Sequence, residues 1–389
     1  PIHEKTALNS PMACKPGWTI PLAGSKVDLC RCPNRGDTVS RTVVSMPMKM
    51  ARLFCLALAA FGATATAQEV SKYTPSRTSW GVPDLQGVWN NTSLTQLERP
   101  SRIDKLAVSA EEAAFLARQH TYTRAAYQDG SQSRLDTESS RRLLADKNTS
   151  RAYNSFWLDP GTGYAQVRGE YRTSWITDPG DGRIPYRDPA SATRPRTQIF
   201  DGPEVRPQSE RCLMSFTGGA GPVMNSGLYN SNYQIVQTPG YVMILSEMIH
   251  DVRIIPMGGQ HAPRDIQKWG GDAIGWYEGD TLVVETVNPN PGQRSYISAA
   301  GKLTERFTRW SNGQIVYEFT VDDPTLYTKT WNGEIALNAS KQPLYEYACH
   351  EGNYALPSIL NGARALEREG REQPPIKEPY PGVDVSEGQ

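Results

Sequence analysis

The chain has 389 residues, of which 38% are hydrophobic and 9% aromatic, enough apolar side chains to build a sizeable core. Its 41 basic and 41 acidic residues balance, so no net charge draws it towards nucleic acid or an anionic membrane, and we expect no nucleic-acid partner. The 33 glycines and 29 prolines favour many short strands and turns over a helical bundle.

A secretory signal peptide is predicted at residues 49–67. Lys49 and Arg52 supply positive charge, an apolar run follows them, and Ala65 and Ala67 provide the small residues of a cleavage site. The apolar run is too short to span a bilayer, so we expect no membrane span once the peptide is removed. The alternative interpretation of this segment is a short buried helix. Cleavage predicts a bacterial protein that is periplasmic or secreted.

The rest of the chain is predicted to form one domain. Residues 1–48 are interpreted as an upstream extension that is disordered, and residues 68–80 as a linker. A single β-rich domain is expected over residues 81–370, followed by a disordered tail at 371–389.

Two cysteines remain after the predicted cleavage. Four of the six cysteines precede residue 68, which leaves Cys212 and Cys349. In an oxidising compartment two cysteines are paired more often than free, so we predict a disulfide between them.

The first half of the predicted domain contains one clear helix. Ser109 and Glu112 form a capping-box pattern ahead of an apolar-periodic stretch, which predicts a helix over residues 113–122. A turn into a strand is expected at residues 81–89, and a second strand at 170–177 is closed by the turn signal at 178–182. His120 is expected at the surface.

The second half is dominated by strand and hairpin patterns. In residues 315–321, apolar and polar side chains alternate, which indicates one buried and one largely polar face. The predicted strands are 233–237, 241–247, 251–256, 281–286, 303–310, 314–321 and 327–331, and a closing helix is predicted at 357–368.

Successive antiparallel strands without a βαβ rhythm predict a mainly β fold, a barrel or a sandwich with a few peripheral helices. The Gly87-Val88-Trp89 element resembles the G-x-W of the first strand in lipocalin-like barrels. We therefore expect an antiparallel lipocalin-like barrel or a sandwich.

Three longer blocks resemble a large family of exported bacterial proteins. They are G-x-P-D-L-x-G-x-W at 81–89, E-M-I-H-D-x-R at 247–253 and Y-E-Y-A-C-H-E-G-N-Y at 345–354. The family has no established activity. The resemblance therefore implies export and the extent of the domain, and it implies no particular reaction.

The first candidate site lies where a strand ends at Glu247, His250, Asp251 and Arg253. Imidazole titrates near neutral pH and a neighbouring carboxylate fixes its tautomer, so Glu247 and His250 are predicted to be catalytic. A turn at residues 248–249 is needed to bring them together. Asp251 and Arg253 are predicted to bind substrate. The alternative is a structural ion pair of Glu247 or Asp251 with Arg253.

The second candidate site is formed by the residues around Cys349. The predicted disulfide holds His350 and Glu351, which we expect to be catalytic, and brings Arg211 near them to bind an anionic group. The alternative is a bridge that only staples the C-terminal segment to the barrel, with His350 structural.

The remaining candidates concern a binding pocket. His261, Tyr153 and Trp157 are predicted to contact substrate. No cofactor is expected. A metal site built from His250, His261 and His350 with a carboxylate is an alternative, although no short metal-binding motif supports it.

These patterns predict an exported enzyme that acts on a small organic molecule in a barrel pocket by general acid–base chemistry, as a lyase, isomerase or hydrolase. The alternative is a binding or scavenging protein of the cell envelope without catalysis. The sequence identifies neither the substrate nor the oligomeric state.

Overall fold

The computed structural model describes residues 73–120, 161–188, 200–215, 221–227, 229–293 and 295–371, together with residues 123 and 159. The predicted upstream extension and signal peptide lie outside the described residues, and so do residues 372–389 of the predicted tail.

An antiparallel sheet of ten strands, nearly closed into a barrel, forms the body of the protein. Nine of these strands are hydrogen-bonded to their neighbours in the order β8-β7-β6-β1-β13-β12-β11-β10-β9. The tenth, β5, pairs with β13 beside this path. The bounds are β1 Gly87–Asn90, β5 Ile176–Asp178, β6 Asn232–Gln237, β7 Tyr241–Ser246, β8 Val252–Pro256, β9 Asp272–Glu278, β10 Thr281–Val287, β11 Lys302–Ser311, β12 Gln314–Asp322 and β13 Trp331–Ala339. The predicted β-barrel is confirmed.

The barrel closes where β8 meets β9. A parallel bridge joins Met257 to Gly275, and the amide of Gly258 donates to the carbonyl of Gly275 at 2.7 Å. A Cβ at Gly275 would approach Ile255 and Met257 to 3.0 and 3.1 Å, so the glycine eases the close packing of the two strands at the seam. The parallel pair defines two ends, which we call the Asp251 end, where β7 passes into β8, and the Asp280 end, where β9 turns into β10.

Aromatic and aliphatic side chains fill the interior, because alternate residues of each strand face inwards. Trp89, Tyr317, Phe319 and Trp331 are each no more than 1% exposed. Their rings pack in tilted and edge-to-face pairs, for example Phe319 and Trp331 with centroids 5.7 Å apart.

A small sheet covers part of the barrel's outer face. The small sheet contains β2 Ala107–Val108, β3 Gln166–Val167 and β4 Glu170–Arg172. Arg172 donates from Nε to Glu334 of β13 at 2.7 Å, and Arg168 pairs with Glu318 of β12 at 2.8 Å, so the small sheet lies against these two strands.

The helices begin close to where the sequence places them. Helix α1 spans Ala110–Gln119 and starts with the predicted capping box, in which Ser109 and Glu112 exchange hydrogen bonds of 3.2 and 2.9 Å. Helix α2 spans Ala355–Arg368. His120, predicted to be a surface residue, is only 4% exposed, because it caps the end of α1 on the side that faces the protein.

The Asp280 end is closed by the chain that precedes β1. Gln237 binds this segment through the amide of Leu85 at 2.7 Å and the carbonyl of Pro83 at 3.0 Å. Farther out, Arg77 pairs with Asp280 at 2.5 Å. The described part of the predicted linker, residues 73–80, therefore contacts the barrel.

Candidate functional site

The strained turn between β7 and β8 is the centre of the first candidate site. It is a 3-10 turn over Met248–His250, in which Ile249 has φ 55° and His250 has φ 44°. Left-handed backbone is rare for a β-branched residue such as Ile249 and costs about 1–3 kcal/mol. Met248 and Ile249 are buried, so packing holds the turn in this conformation. Strain of this kind is concentrated at functional sites.

Glu247 is buried beneath the turn, with 5% of its surface exposed. Its carboxylate accepts hydrogen bonds from the side-chain amides of Asn230 at 2.5 Å and Asn232 at 2.9 Å. The carboxylate predicted to orient His250 is thus bound to two asparagines. This arrangement satisfies a buried charge with donors and fixes the start of the turn.

His250 itself is exposed and has a defined tautomer. Its Nδ1 atom lies 3.3 Å from the main-chain oxygen of Tyr347. A carbonyl oxygen can only accept a hydrogen bond, so Nδ1 carries the proton and Nε2 of the neutral ring keeps its lone pair. The neutral side chain can therefore take up a proton at Nε2.

Asp251 follows at once and sits in a less polar environment. Burial raises the pKa of its carboxyl to about 6, against the opposing effects of a hydrogen bond from the Ser215 amide and of the positive charge that His250 carries when protonated. The Ser215 amide lies 3.2 Å from Oδ2. Asp251 therefore exchanges its proton close to neutral pH.

The predicted disulfide between Cys212 and Cys349 is present, with Cα atoms 5.9 Å apart. It joins two segments, one containing Ser215 beside Asp251 and the other containing Tyr347 beside His250. Asn353 adds a hydrogen bond of 2.7 Å to the carbonyl of Glu210. Both segments that contact the His250–Asp251 pair are thus tied to each other.

The other predicted residues of this region lie in the same two segments. His350 and Glu351 are exposed directly after Cys349. Arg211 precedes Cys212 and donates from Nη1 to the carbonyl of Glu204 at 3.1 Å. Their predicted roles stay predictions.

Arg253 faces the barrel interior, on the far side of the β8 backbone from its exposed neighbours Val252 and Ile254. Its guanidinium donates to Glu305 Oε1 at 2.8 Å and to Thr286 Oγ1 at 2.7 Å, with a further bond to Glu305 Oε2. Although burial lowers the pKa of Arg253, the carboxylate of Glu305 raises it above the usual value. The ion-pair partner of Arg253 is thus Glu305, and neither Glu247 nor Asp251.

Glu305 was missed by the sequence reasoning although a signal was available. It occupies an alternate position between Leu303 and Phe307 on β11, all three fully buried. A carboxylate on an apolar strand face needs a buried partner. Its partners are Arg253 and the hydroxyl of Tyr317, which donates at 2.8 Å.

A segment of the chain fills the barrel interior at the Asp251 end. Val223 and Met224 are fully buried there. The Met224 amide donates to the Tyr317 hydroxyl at 3.3 Å, and its carbonyl accepts from Asn91 at 2.8 Å. Gly221 passes so close to Arg253 that a Cβ would lie 2.6 Å from Nη1.

His261 lies on the loop between β8 and β9. Its Nδ1 is 2.9 Å from Asp272 and its Nε2 is 3.3 Å from Glu285. Lys268 pairs with Asp272 at 2.7 Å and Lys302 with Glu285 at 3.3 Å. These contacts hold the loop against β9 and β10, and they account for the side chain of His261.

The last predicted features are two aromatic residues of the binding pocket and the alternative metal site. Tyr153 and Trp157 lie outside the described residues. Among the residues that the structure describes, no group of three or more His, Cys, Asp and Glu side chains is placed to hold a metal ion.

In the described part of the chain, no helix is both long and apolar enough to cross a membrane. Comparison with known proteins gave no match to any protein-family model, to any curated protein or to any solved structure.

Proposed function

We propose that the protein is an exported enzyme that acts on a small organic molecule by general acid–base chemistry at His250 and Asp251. The observation that carries the proposal is the Nδ1–carbonyl contact of His250 with Tyr347, because it leaves Nε2 of an exposed imidazole as a proton acceptor. Asp251, with a pKa of about 6, supplies a second group that is matched to proton transfer near neutral pH.

The proposed substrate position lies outside the barrel, on the surface next to His250. The interior at this end holds Val223 and Met224. The surface, by contrast, is bordered by the segments that the disulfide ties together. His350 and Glu351 project from one of these segments and are proposed to contact the substrate, and Arg211 on the other is proposed to bind an anionic group.

Glu247 is proposed to position His250 rather than to transfer a proton. Its carboxylate is buried and accepts from two asparagine amides. Loss of these bonds would free the start of the turn whose backbone is strained at Ile249. A lyase, isomerase or hydrolase step needs no group beyond a base, an acid and such a rigid support.

The test compares wild-type protein with His250→Asn and Asp251→Asn in a turnover screen. Each protein is incubated with a metabolite extract of a Gram-negative bacterium, and mass spectrometry follows which compounds disappear and which appear. We expect wild type to convert at least one compound and both variants to lose at least about 100-fold of that rate. Asp280→Asn, at the opposite end of the barrel, is the matched control and should keep the wild-type rate. Conversion at the wild-type rate by the folded His250→Asn protein would rule the proposal out.

A further inference from the structure

Arg99 is a buried arginine that uses only part of its hydrogen-bonding capacity. The residue is 3% exposed and lies on the loop between β1 and β2. Its Nη1 group donates to the main-chain oxygens of Gly180 at 2.7 Å and Asp104 at 3.2 Å. Both protons of Nη1 are therefore used, and they pin two turns together.

The opposite edge of the same guanidinium carries no hydrogen bond within the described part of the chain. Nε and Nη2 are both buried there without a partner. These two nitrogens form the side-on fork that binds two oxygens of a carboxylate or phosphate in parallel. A purely structural arginine would leave three of its five donors idle, at a considerable cost in desolvation.

No carboxylate makes a hydrogen bond to Arg99 among the described residues, so its charge is incompletely balanced. Burial lowers the pKa of Arg99, and Asp181 and Asp104 counter this only through space. Arg172 shows the contrast, because its buried guanidinium binds Glu334 and Glu170 and its pKa is raised. A buried arginine without a carboxylate partner, such as Arg99, is less stable than a paired one such as Arg172.

A second arginine lies near Arg99. Arg183 is near enough to lower the pKa of Arg99 by repulsion, and it is 3.5 Å from its own partner Glu98. A second cation near an unused fork adds to the attraction for an anion. The hydroxyl of Ser174 borders the same place, since a Cβ on Gly182 would lie 3.1 Å from both Ser174 Oγ and Arg99 Nε.

We propose that the Nε–Nη2 edge of Arg99, with Arg183 beside it, binds a small oxyanion such as phosphate or a carboxylate. The turn formed by residues 179–182 lies against the guanidinium, since a Cβ on Gly182 would come within 3.1 Å of Nε, and its Gly180 and Asp181 are exposed, so the fork lies near the surface of the protein. The site is distinct from the His250 region, because the turn follows β5, which pairs with β13, three strands from β7 in the sheet.

The test measures the melting temperature of the full chain in Tris chloride as sodium phosphate or sodium acetate is added, with sodium chloride at matched ionic strength as the reference. We expect a saturable rise of about 3 °C or more with at least one of the two oxyanions. A rise with phosphate alone, with acetate alone or with both shows which oxyanion the fork accepts. No rise beyond that of chloride would overturn the proposal.

Variants assign the effect to the fork. Arg99→Met keeps the length of the side chain and should abolish the rise, whereas Arg172→Met, at a buried arginine whose fork is filled, should keep it. Arg183→Gln lies at the surface and tests the same site if Arg99→Met does not fold. It should weaken the apparent anion affinity about 3- to 10-fold. A wild-type response in Arg183→Gln or in a folded Arg99→Met contradicts the proposal.

Discussion

The Nδ1 atom of His250 lies 3.3 Å from the carbonyl oxygen of Tyr347, a residue that the Cys212–Cys349 disulfide holds at the Asp251 end of the barrel. This contact sets the tautomer of an exposed imidazole through a main-chain atom. The sequence around His250 does not predict this contact, because every residue carries the same main-chain carbonyl. The proposed base is thus defined by how two distant segments meet.

Removal of the disulfide is expected to loosen the Tyr347 segment and to destabilise the protein. The bridge closes a loop of 137 residues, and the chain-entropy model gives an upper value of about 5 kcal/mol for its loss. We expect Cys212→Ala/Cys349→Ala to lose about 2–5 kcal/mol in urea unfolding. Hydrogen exchange should rise most over residues 345–354. Unchanged protection there would show that other contacts hold Tyr347.

Strain at the turn predicts that His250 can be replaced with a gain in stability. Asn adopts left-handed backbone more readily than His, and His250 has φ 44°. His250→Asn is therefore expected to raise the free energy of unfolding by up to about 1 kcal/mol, while it removes the proposed base. Calorimetry beside the turnover assay measures both. A variant that loses stability and activity together would mean that His250 is structural.

Asp251 and Asp272 should respond to pH with opposite signs. Burial raises the pKa of Asp251 to about 6, so the folded state binds an extra proton between about pH 4 and 6 and stability falls as the pH rises through that window. The pKa of Asp272 is lowered because its hydrogen bonds to Lys268, Ala262 and His261 outweigh burial, so its contribution is present above about pH 4 and is lost as the pH falls below this value.

Asparagine variants test these signs directly. Asp251→Asn should be at least as stable as wild type at pH 7 and should lack the decline between about pH 4 and 6. Asp272→Asn should be less stable at pH 7 and should match wild type more closely near pH 3. Urea unfolding over this pH range measures both. The same direction of change in the two variants at pH 7 would contradict the assignment.

Much of the second half of the fold is predictable, because its strands alternate between apolar and polar residues. The predicted strands at 233–237, 241–247, 251–256, 303–310 and 314–321 match β6, β7, β8, β11 and β12 to within one residue at each end. The turn signals between these strands fix the lengths of the hairpin loops and therefore the register of the paired strands.

Besides the short β2 and β3 of the small sheet, two strands of the barrel are not predicted from the sequence, for physical reasons. In β13 the outward Glu334 is itself covered by Arg168 and Arg172 of the small sheet, so the strand is buried on both faces and shows no alternation. The prediction of a strand at 327–331 is wrong, since Tyr327 makes an isolated bridge to Tyr186 and β13 begins at Trp331. In β9 the central residue is Gly275, which packs closely at the seam and weakens the strand pattern.

The candidate site was only partly predictable. The disulfide followed from the cysteine count, and a turn at 248–249 was anticipated as the way to bring Glu247 and His250 together. The turn exists, yet Glu247 binds Asn230 and Asn232. Which partner a buried carboxylate takes depends on strands that are distant in sequence, and local spacing carries no information about it.

The contact between Gly221 and Arg253 gives the sharpest prediction about stability. Gly221 has φ 115°, and a Cβ there would lie 2.6 Å from Arg253 Nη1 and 3.3 Å from Glu305 Oε1. Gly221→Ala must therefore adopt a strained backbone and displace a buried ion pair at once. We expect a loss of at least about 3 kcal/mol in urea unfolding.

The matched control is Gly240→Ala in the turn between β6 and β7, where a Cβ meets no atom within 4 Å. It should change the free energy of unfolding by no more than about 1 kcal/mol. If Gly221→Ala is as mild as this control, the 221–225 segment can leave the Asp251 end at little cost. Solvent would then reach the ion pair of Arg253 and Glu305, and Arg253 could bind a substrate, as the sequence predicts.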